Sequence, residues 1–358
     1  MYTDHIMRVS IFTGADYAIS CFRYADCVAH EFQSMGIAAR VYTIERRRGL
    51  AGLYDKYIGY PLLARANQGD INVLASESTS ILIPFLDRSR SVIVCHDTLP
   101  LILQLHSANY RFRYRIMLRL MGLARGVLAV SETTKHNLAN HIPSIPQSRV
   151  IARHQGLHED YSGVDRDKRR RQFREKHCLG DGFVVFHIGN ASWHKNFRGV
   201  LEGFSQANVP HARLLKVGPI GEADQRRIAE LNMADSIVNI SYVDDEELAD
   251  AYMSSDVLAF PSYGEGFGIP PLEAMSIGLP VIASTRESMP EIGGDAVLYA
   301  EPDDYEAIGD AIRRLSAEET LRSSLVHKGL QRAKLFDWKN VAEGILSFFP
   351  DLSYKSWS

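Results

Sequence analysis

The stretch Phe260-Pro-Ser-Tyr-Gly-Glu-Gly-Phe-Gly-Ile-Pro-Pro-Leu-Glu-Ala-Met-Ser-Ile-Gly-Leu-Pro-Val-Ile-Ala-Ser284 reads as strand, glycine loop, helix and strand in immediate succession. The apolar run Val257–Phe260 enters a loop carrying Gly264, Gly266 and Gly268, where missing side chains let backbone N–H groups approach a ligand closely. Pro270 and Pro271 suit a helix start, because an N–H at the first helical positions has no intrahelical partner to lose. The positive end of such a helix predicts a site for a phosphate or diphosphate. Glu265 and Glu273 would repel a phosphate they touched, so they are expected to accept hydrogen bonds from hydroxyl groups, which sugars supply. Glu273 alone could complement a helix N-terminus for about 0.3–1 kcal/mol, but that role needs neither the three glycines nor Glu265.

Upstream of this stretch the same alternation recurs. Strands are expected at 183–188, 213–217, 237–240 and 257–260, with helices over 196–205, 223–231 and 244–253, then a helix at 271–276, a strand at 280–283 and helical structure beyond Asp303. The first half alternates likewise, with β-prone runs at 9–12, 39–44, 71–75, 91–95 and 127–130 and a helix over 20–34. Continuous apolar strands separated by helices imply parallel sheets covered on both faces. The expected fold is therefore α/β, with two Rossmann-like doubly wound domains facing across a deep cleft, and ligands bound beyond the carboxyl ends of the strands.

At 358 residues the chain is long enough for two domains, and 46% hydrophobic with 23% charged residues is an ordinary globular composition that excludes disorder as the main theme. The basic run over 161–176 reads as a linker between a first domain, 1–160, and a second, 177–339; the last helix, about 340–358, is expected to pack back on the first domain. A net charge of −3 argues against whole-chain binding to nucleic acid. The four cysteines, Cys21, Cys27, Cys95 and Cys178, have neither metal-site nor disulfide-framework spacing. No cleavable leader pattern opens the sequence and no apolar run is long enough to span a bilayer, so a cytoplasmic protein is expected, with peripheral attachment to the inner face of the membrane left open. Asp165-Arg-Asp167 spells a D-x-D string, but within a run of arginines it reads as coincidence, and no metal site is expected. A nucleotide-cofactor oxidoreductase would need G-x-G-x-x-G after the first strand, and Val9–Gly14 lacks it.

Glu265 and Glu273, with seven residues between them, closely resemble the E-x7-E signature of retaining GT-B glycosyltransferases of family 4. Phe186-His-Ile-Gly-Asn-Ala-Ser-Trp-His-Lys-Asn196 resembles the family's strand and glycine loop, Ile240-Ser-Tyr-Val-Asp-Asp-Glu-Glu-Leu248 its base-flanking segment, and Val94-Cys-His-Asp-Thr-Leu-Pro100 and Ala129-Val-Ser-Glu-Thr-Thr-Lys135 its first-domain stretches. The resemblance is specific over about 180–300, weaker over 90–160 and nearly absent before 90. It implies metal-independent transfer of a hexose, with retention, from a nucleotide diphosphate sugar to a glycan or lipid-linked acceptor in surface polysaccharide or glycolipid assembly, with no cofactor required. GDP-mannose is the favoured donor; a UDP-sugar, or a non-catalytic nucleotide-sugar-binding module, is the alternative.

By the same resemblance Lys195 would reach the donor diphosphate, Glu265 hold donor-sugar hydroxyls and Glu273 the ribose, with Asn190, Tyr242, Val243, Gly266, Phe267, Gly268 and Ile269 completing the donor site. Gly14 would belong to the first-domain loop nearest the leaving group, and His96 would lie beside the donor sugar; His96, Glu265 and Lys195 are the expected catalytic residues. Two departures stand out. Gly189 is followed by Asn190 where many members have Arg, which leaves Arg198 and Arg153 as alternative cations, and the glycines after the first strand are reduced to Thr13-Gly14-Ala15. Arg111, Arg115 and Arg119 share one helical face, which reads either as an acceptor or membrane surface or as the solvated side of an amphipathic helix. Oligomeric state is not readable.

Overall fold

A computed structural model describes residues 7–14, 19–43, 47, 49–157 and 165–352. They form two compact units, one ending near residue 158 and resuming at Phe336, the other running from there to Leu335.

The first unit is built on six parallel strands, β1 (Arg8–Phe12), β2 (Ala38–Tyr42), β3 (Ile71–Leu74), β4 (Ser91–Cys95), β5 (Gly126–Ala129) and β6 (Val150–Ala152), in the order β2-β1-β3-β4-β5-β6. Val9 lies between Ala39 and Ile71 in register. Every residue of β3, β4 and β5 is buried, as expected of parallel strands covered on both faces. Phe12, Leu74, Ile93, Val127, Leu118 and Leu138 pack one of these faces.

The second unit holds β7 (Val184–Ile188), β8 (Arg213–Val217), β9 (Ile237–Ile240), β10 (Val257–Phe260), β11 (Val281–Ser284) and β12 (Leu298–Ala300), parallel and ordered β12-β11-β10-β7-β8-β9. The helices Phe197–Ala207 and Tyr305–Ala317 cross closely on one face, which requires glycine: a Cβ on Gly203 would lie 2.4 Å from the Ile308 side chain. β6 and β12 escape the sequence reading because each has only three residues.

The segment read as a linker is a correction. Arg166–Lys176 is a helix of the second unit, and three of its arginines, Arg169, Arg170 and Arg174, are tied to acidic residues of that unit, while Lys168 and Arg171 are exposed. Arg170 and Arg174 both pair with Asp256, at 2.7 and 2.8 Å, Arg169 pairs with Asp250, and Phe173 is buried. The helix Trp338–Leu346 belongs to the first unit: Trp338 Nε1 donates to the Leu157 carbonyl at 2.7 Å and the Trp338 ring meets Tyr24 edge to face. The returning segment starts at Phe336, a few residues before the expected 340. No helix among the described residues is long and apolar enough to cross a membrane.

Candidate functional site

In the second unit the strand order reverses between β7 and β10, the two central neighbours from which the sheet is built outward in opposite directions. At such a point the loops leaving adjacent strands diverge and open a crevice beyond the carboxyl ends. The loop after β7 carries Gly189, Asn190 and a short turn, Trp193–Lys195; the loop after β10 carries Tyr263 to Gly268. Lys195 Nζ donates to both carboxylate oxygens of Glu265, each at 2.9 Å, bridging the two loops. Both side chains are mostly buried, at 20% and 11% exposure, so the attraction is less screened than at a free surface.

Asn196 makes this junction rigid. It adopts a left-handed backbone (φ 56°), caps the following helix through Gly199 N–H, and its amide donates to the carbonyls of Pro261 and Pro302 at 2.8 Å. Ser288 Oγ donates to the carbonyls of Glu265 and Phe267, holding the glycine loop from below. Gly268 has φ 121°, a backbone conformation that residues with side chains rarely adopt, and a Cβ there would also displace the Met289 methyl, 2.4 Å away. The helix Ile269–Ser276 follows, as expected, but its first turn is poor in donors: Pro270 and Pro271 have no N–H, so the anion site draws on the dipole and the preceding loop more than on a row of helix amides.

Glu273 lies on the second turn of that helix, which starts at Ile269 rather than at the expected 271, and is 7% exposed. Its Oε2 accepts from Tyr252 Oη at 2.7 Å. Asn190 is exposed and its side chain accepts from Ser192 N–H; Tyr242 is 77% exposed, with Val243 beside it in the loop after β9. Because all six strands are parallel, every second-unit residue expected to bind donor lies at or beyond one edge of the sheet. Of the alternatives for the cation missing after Gly189, Arg198 is committed to Asp224 at 3.0 Å and to the Ala223 carbonyl. Arg153 lies in the first unit and donates to the Ala152 carbonyl.

In the first unit the order reverses between β1 and β3, where Gly14 follows β1. His96 leaves β4; its Nε2 contacts the Ala75 carbonyl at 2.7 Å and its backbone N–H donates to Glu77 Oε2 at 3.1 Å. A carbonyl only accepts, so Nε2 carries the proton and Nδ1 of the neutral ring is an acceptor. Burial lowers the pKa of His96, which favours that neutral ring, and burial raises that of Glu77 despite the N–H it accepts. Arg111, Arg115 and Arg119 lie on the helix Ala108–Met121, whose buried face is Tyr114, Leu118 and Met121. Arg111 donates to the His106 carbonyl, while Arg115 and Arg119 are exposed together with Phe112 and Ile116.

Glu77 in the first unit escaped the sequence reading, as did Tyr252, His187 and Lys216 in the second. The signal for the last two was present, since each is a polar residue inside an otherwise apolar strand, Val-Val-Phe-His-Ile and Leu-Leu-Lys-Val. His187 Nδ1 bonds the Ala259 carbonyl at 2.9 Å, tying β7 to β10, and its pKa is lowered to about 3 by burial, with Lys216 nearby adding to the effect.

Residues 168–332 match the family described as glycosyl transferases group 1. That match and the two parallel six-stranded sheets support a glycosyltransferase of the GT-B fold. Among curated relatives, O-antigen chain mannosyltransferase B of Escherichia coli is 27% identical over 260 residues, covering 70% of this chain and 68% of that protein. Serotype-specific mannosyltransferase WbdA of Escherichia coli is 27% identical over 279 residues, covering 75% of this chain but only 34% of that longer protein. Among solved structures, HepE of Anabaena in complex with UDP and glucose has a TM-score of 0.74 over 97% of this chain and all of that one, at 16% identity, a likeness of fold.

Proposed function

We propose that the protein is a retaining, metal-independent hexosyltransferase that moves mannose from GDP-mannose to a glycan or lipid-linked acceptor in surface polysaccharide or glycolipid assembly. The Lys195–Glu265 pair across the β7/β10 reversal carries the reading. Departure of a nucleoside diphosphate develops negative charge on the leaving oxygen, and a preorganised cation at that point stabilises it where water is excluded. Donor binding exchanges the partners of the pair: the diphosphate takes Lys195, and the freed Glu265 accepts from donor-sugar hydroxyls. In this reading Glu273, bonded to Tyr252, takes the ribose, and in the first unit the neutral ring of His96 presents Nδ1 as a hydrogen-bond acceptor. The choice of mannose is supported by the names of the two curated relatives above, both mannosyltransferases of Escherichia coli and one of them of the O-antigen chain.

The acceptor side is assigned to the first unit, at the cytoplasmic face of a membrane. The helix Ala108–Met121 carries four arginines and no acidic residue, with Phe112 and Ile116 exposed between them. The helical stretch over 49–66 exposes Leu50, Leu53, Tyr57 and Leu62, and its one carboxylate, Asp55, is buried against Arg47. Exposed apolar side chains among cations without competing carboxylates suit an anionic lipid surface. Incubation with GDP-mannose and UDP-glucose, with and without EDTA, followed by assay of released nucleoside diphosphate and of product anomeric configuration, tests the reading. Release of GDP in EDTA with an α-linked product supports it; turnover of the UDP-sugar alone, or an inverted product, refutes it.

A further inference from the structure

Lys216 sits in β8 with none of its surface open to solvent. Its Nζ donates to the carbonyls of Gly189 and Val217, at 2.5 and 2.6 Å, and stands 5.4 Å from the centroid of the Phe197 ring. Among the described residues no carboxylate pairs with it. The charged and titratable groups that act on this ammonium or face it are few. Asp224, already paired with Arg198, favours its charge; Lys195, paired with Glu265, opposes it; His187 in β7 stands neutral. Burial of a cation without a counter-ion is expensive, and an apolar side chain of the same length would serve a strand flanked by Leu214, Leu215 and Val217 better. Gly218 beside it has φ 102°, and a Cβ there would lie 2.1 Å from the Gly189 carbonyl oxygen and 3.1 Å from Lys216 Nζ, so the Gly189 carbonyl sits this close only over a glycine.

The consequence appears at the next peptide. In a planar trans peptide the carbonyl and the following N–H point in opposite directions. Lys216 draws the Gly189 carbonyl inward, so the Asn190 N–H is turned away from the buried ammonium. We infer that Lys216 is the buried cation of the donor site: it sets the Gly189–Asn190 peptide with its N–H toward an incoming nucleoside diphosphate and places a positive charge behind it, the charge that an Arg after Gly189 would otherwise bring. It is a positioning residue, and the inference rests on the proposed donor site. Its ammonium is held at about 8 in the free protein, and an anion arriving on the loop raises that value. Nucleotide binding above pH 8 therefore takes up a proton, and affinity falls as pH rises through the free value.

The test is calorimetric titration of GDP and of UDP into the full chain and its Lys216→Met variant, at pH 7.5 and 8.5, in two buffers of different ionisation enthalpy. Thermal unfolding without nucleotide accompanies each variant. Above the phosphate's own second pKa of about 6, the ligand's phosphate adds no proton of its own. Wild type binds one of the two nucleotides with proton uptake at pH 8.5. The variant binds it about tenfold more weakly, without that uptake, and unfolds at the same or a higher temperature. Equal affinity or equal uptake in the variant overturns the role of Lys216 alone. So does a variant that melts early while its folded fraction binds normally, which is the signature of a structural lysine. A wild type indifferent to both nucleotides overturns the donor-site reading, and this inference with it.

Discussion

Lys195 Nζ stands 2.9 Å from both carboxylate oxygens of Glu265, 70 positions further along the chain. The pair is the point where two loops leaving β7 and β10 become one site. Its members have opposite parts in the proposed chemistry, and the ion pair between them is the resting state that the donor breaks.

Neutralising Lys195 therefore removes a charge that matters most in the transition state. Lys195→Met lowers kcat by about 10² to 10³, with a smaller change in KM, and steady-state assay of nucleoside diphosphate release measures it. A rise in KM with kcat unchanged would place Lys195 in ground-state binding only.

Glu273 and Tyr252 form a buried pair, 2.7 Å apart. Tyr252→Phe removes one donor to a buried carboxylate and costs about 1.5–3 kcal/mol, read as a lower denaturant midpoint, together with weaker nucleotide binding. A variant as stable as wild type would show that the carboxylate is held by other groups.

His187 gives the second unit a defined response to acid. Its folded value, about 3, lies below the ordinary 6.5, so the unfolded state binds the proton first. Its stability contribution is complete above 6.5 and is lost as pH falls toward 3, with a slope of up to about 1.4 kcal/mol per pH unit. Denaturant unfolding of wild type and His187→Met between pH 7 and 4 checks this: the difference between them narrows as pH falls, and a constant difference contradicts it.

The membrane face is tested by charge reversal. Arg115→Glu with Arg119→Glu removes two cations worth about 1 kcal/mol each near an anionic surface. Partitioning onto phosphatidylglycerol vesicles falls by at least about tenfold, while nucleotide binding in the second unit is unchanged. Equal partitioning would show that these arginines face away from the lipid.

What the sequence made legible follows the range of the interactions. The run from Phe260 to Ser284 is read correctly because its glycines and prolines act on their own backbone, and the strand, loop and helix boundaries follow locally. The helix Arg166–Lys176 was read as a linker because the partners that give its arginines a place, Asp250 and Asp256, lie some 80 positions away and are brought near only by folding. Lys216 stands out in Leu-Leu-Lys-Val as a polar residue in an apolar strand, but its partner Gly189 lies 27 positions away and meets it only when β8 pairs with β7. The Glu265–Glu273 spacing singles out two carboxylates; the structure adds that one is paired with a lysine and the other with a tyrosine.

The most direct test of the donor site is the unfolding midpoint of wild type and Glu273→Ala in the presence of GDP, UDP, ADP and dTDP, each with and without Mg2+. At 100 times Kd a nucleotide adds about 2.7 kcal/mol to the folded state, several degrees for a chain of this size. The account predicts that GDP raises the midpoint of wild type equally with and without Mg2+, and that the shift disappears in Glu273→Ala. A midpoint that no nucleotide moves, or that moves only when Mg2+ is present, would contradict it.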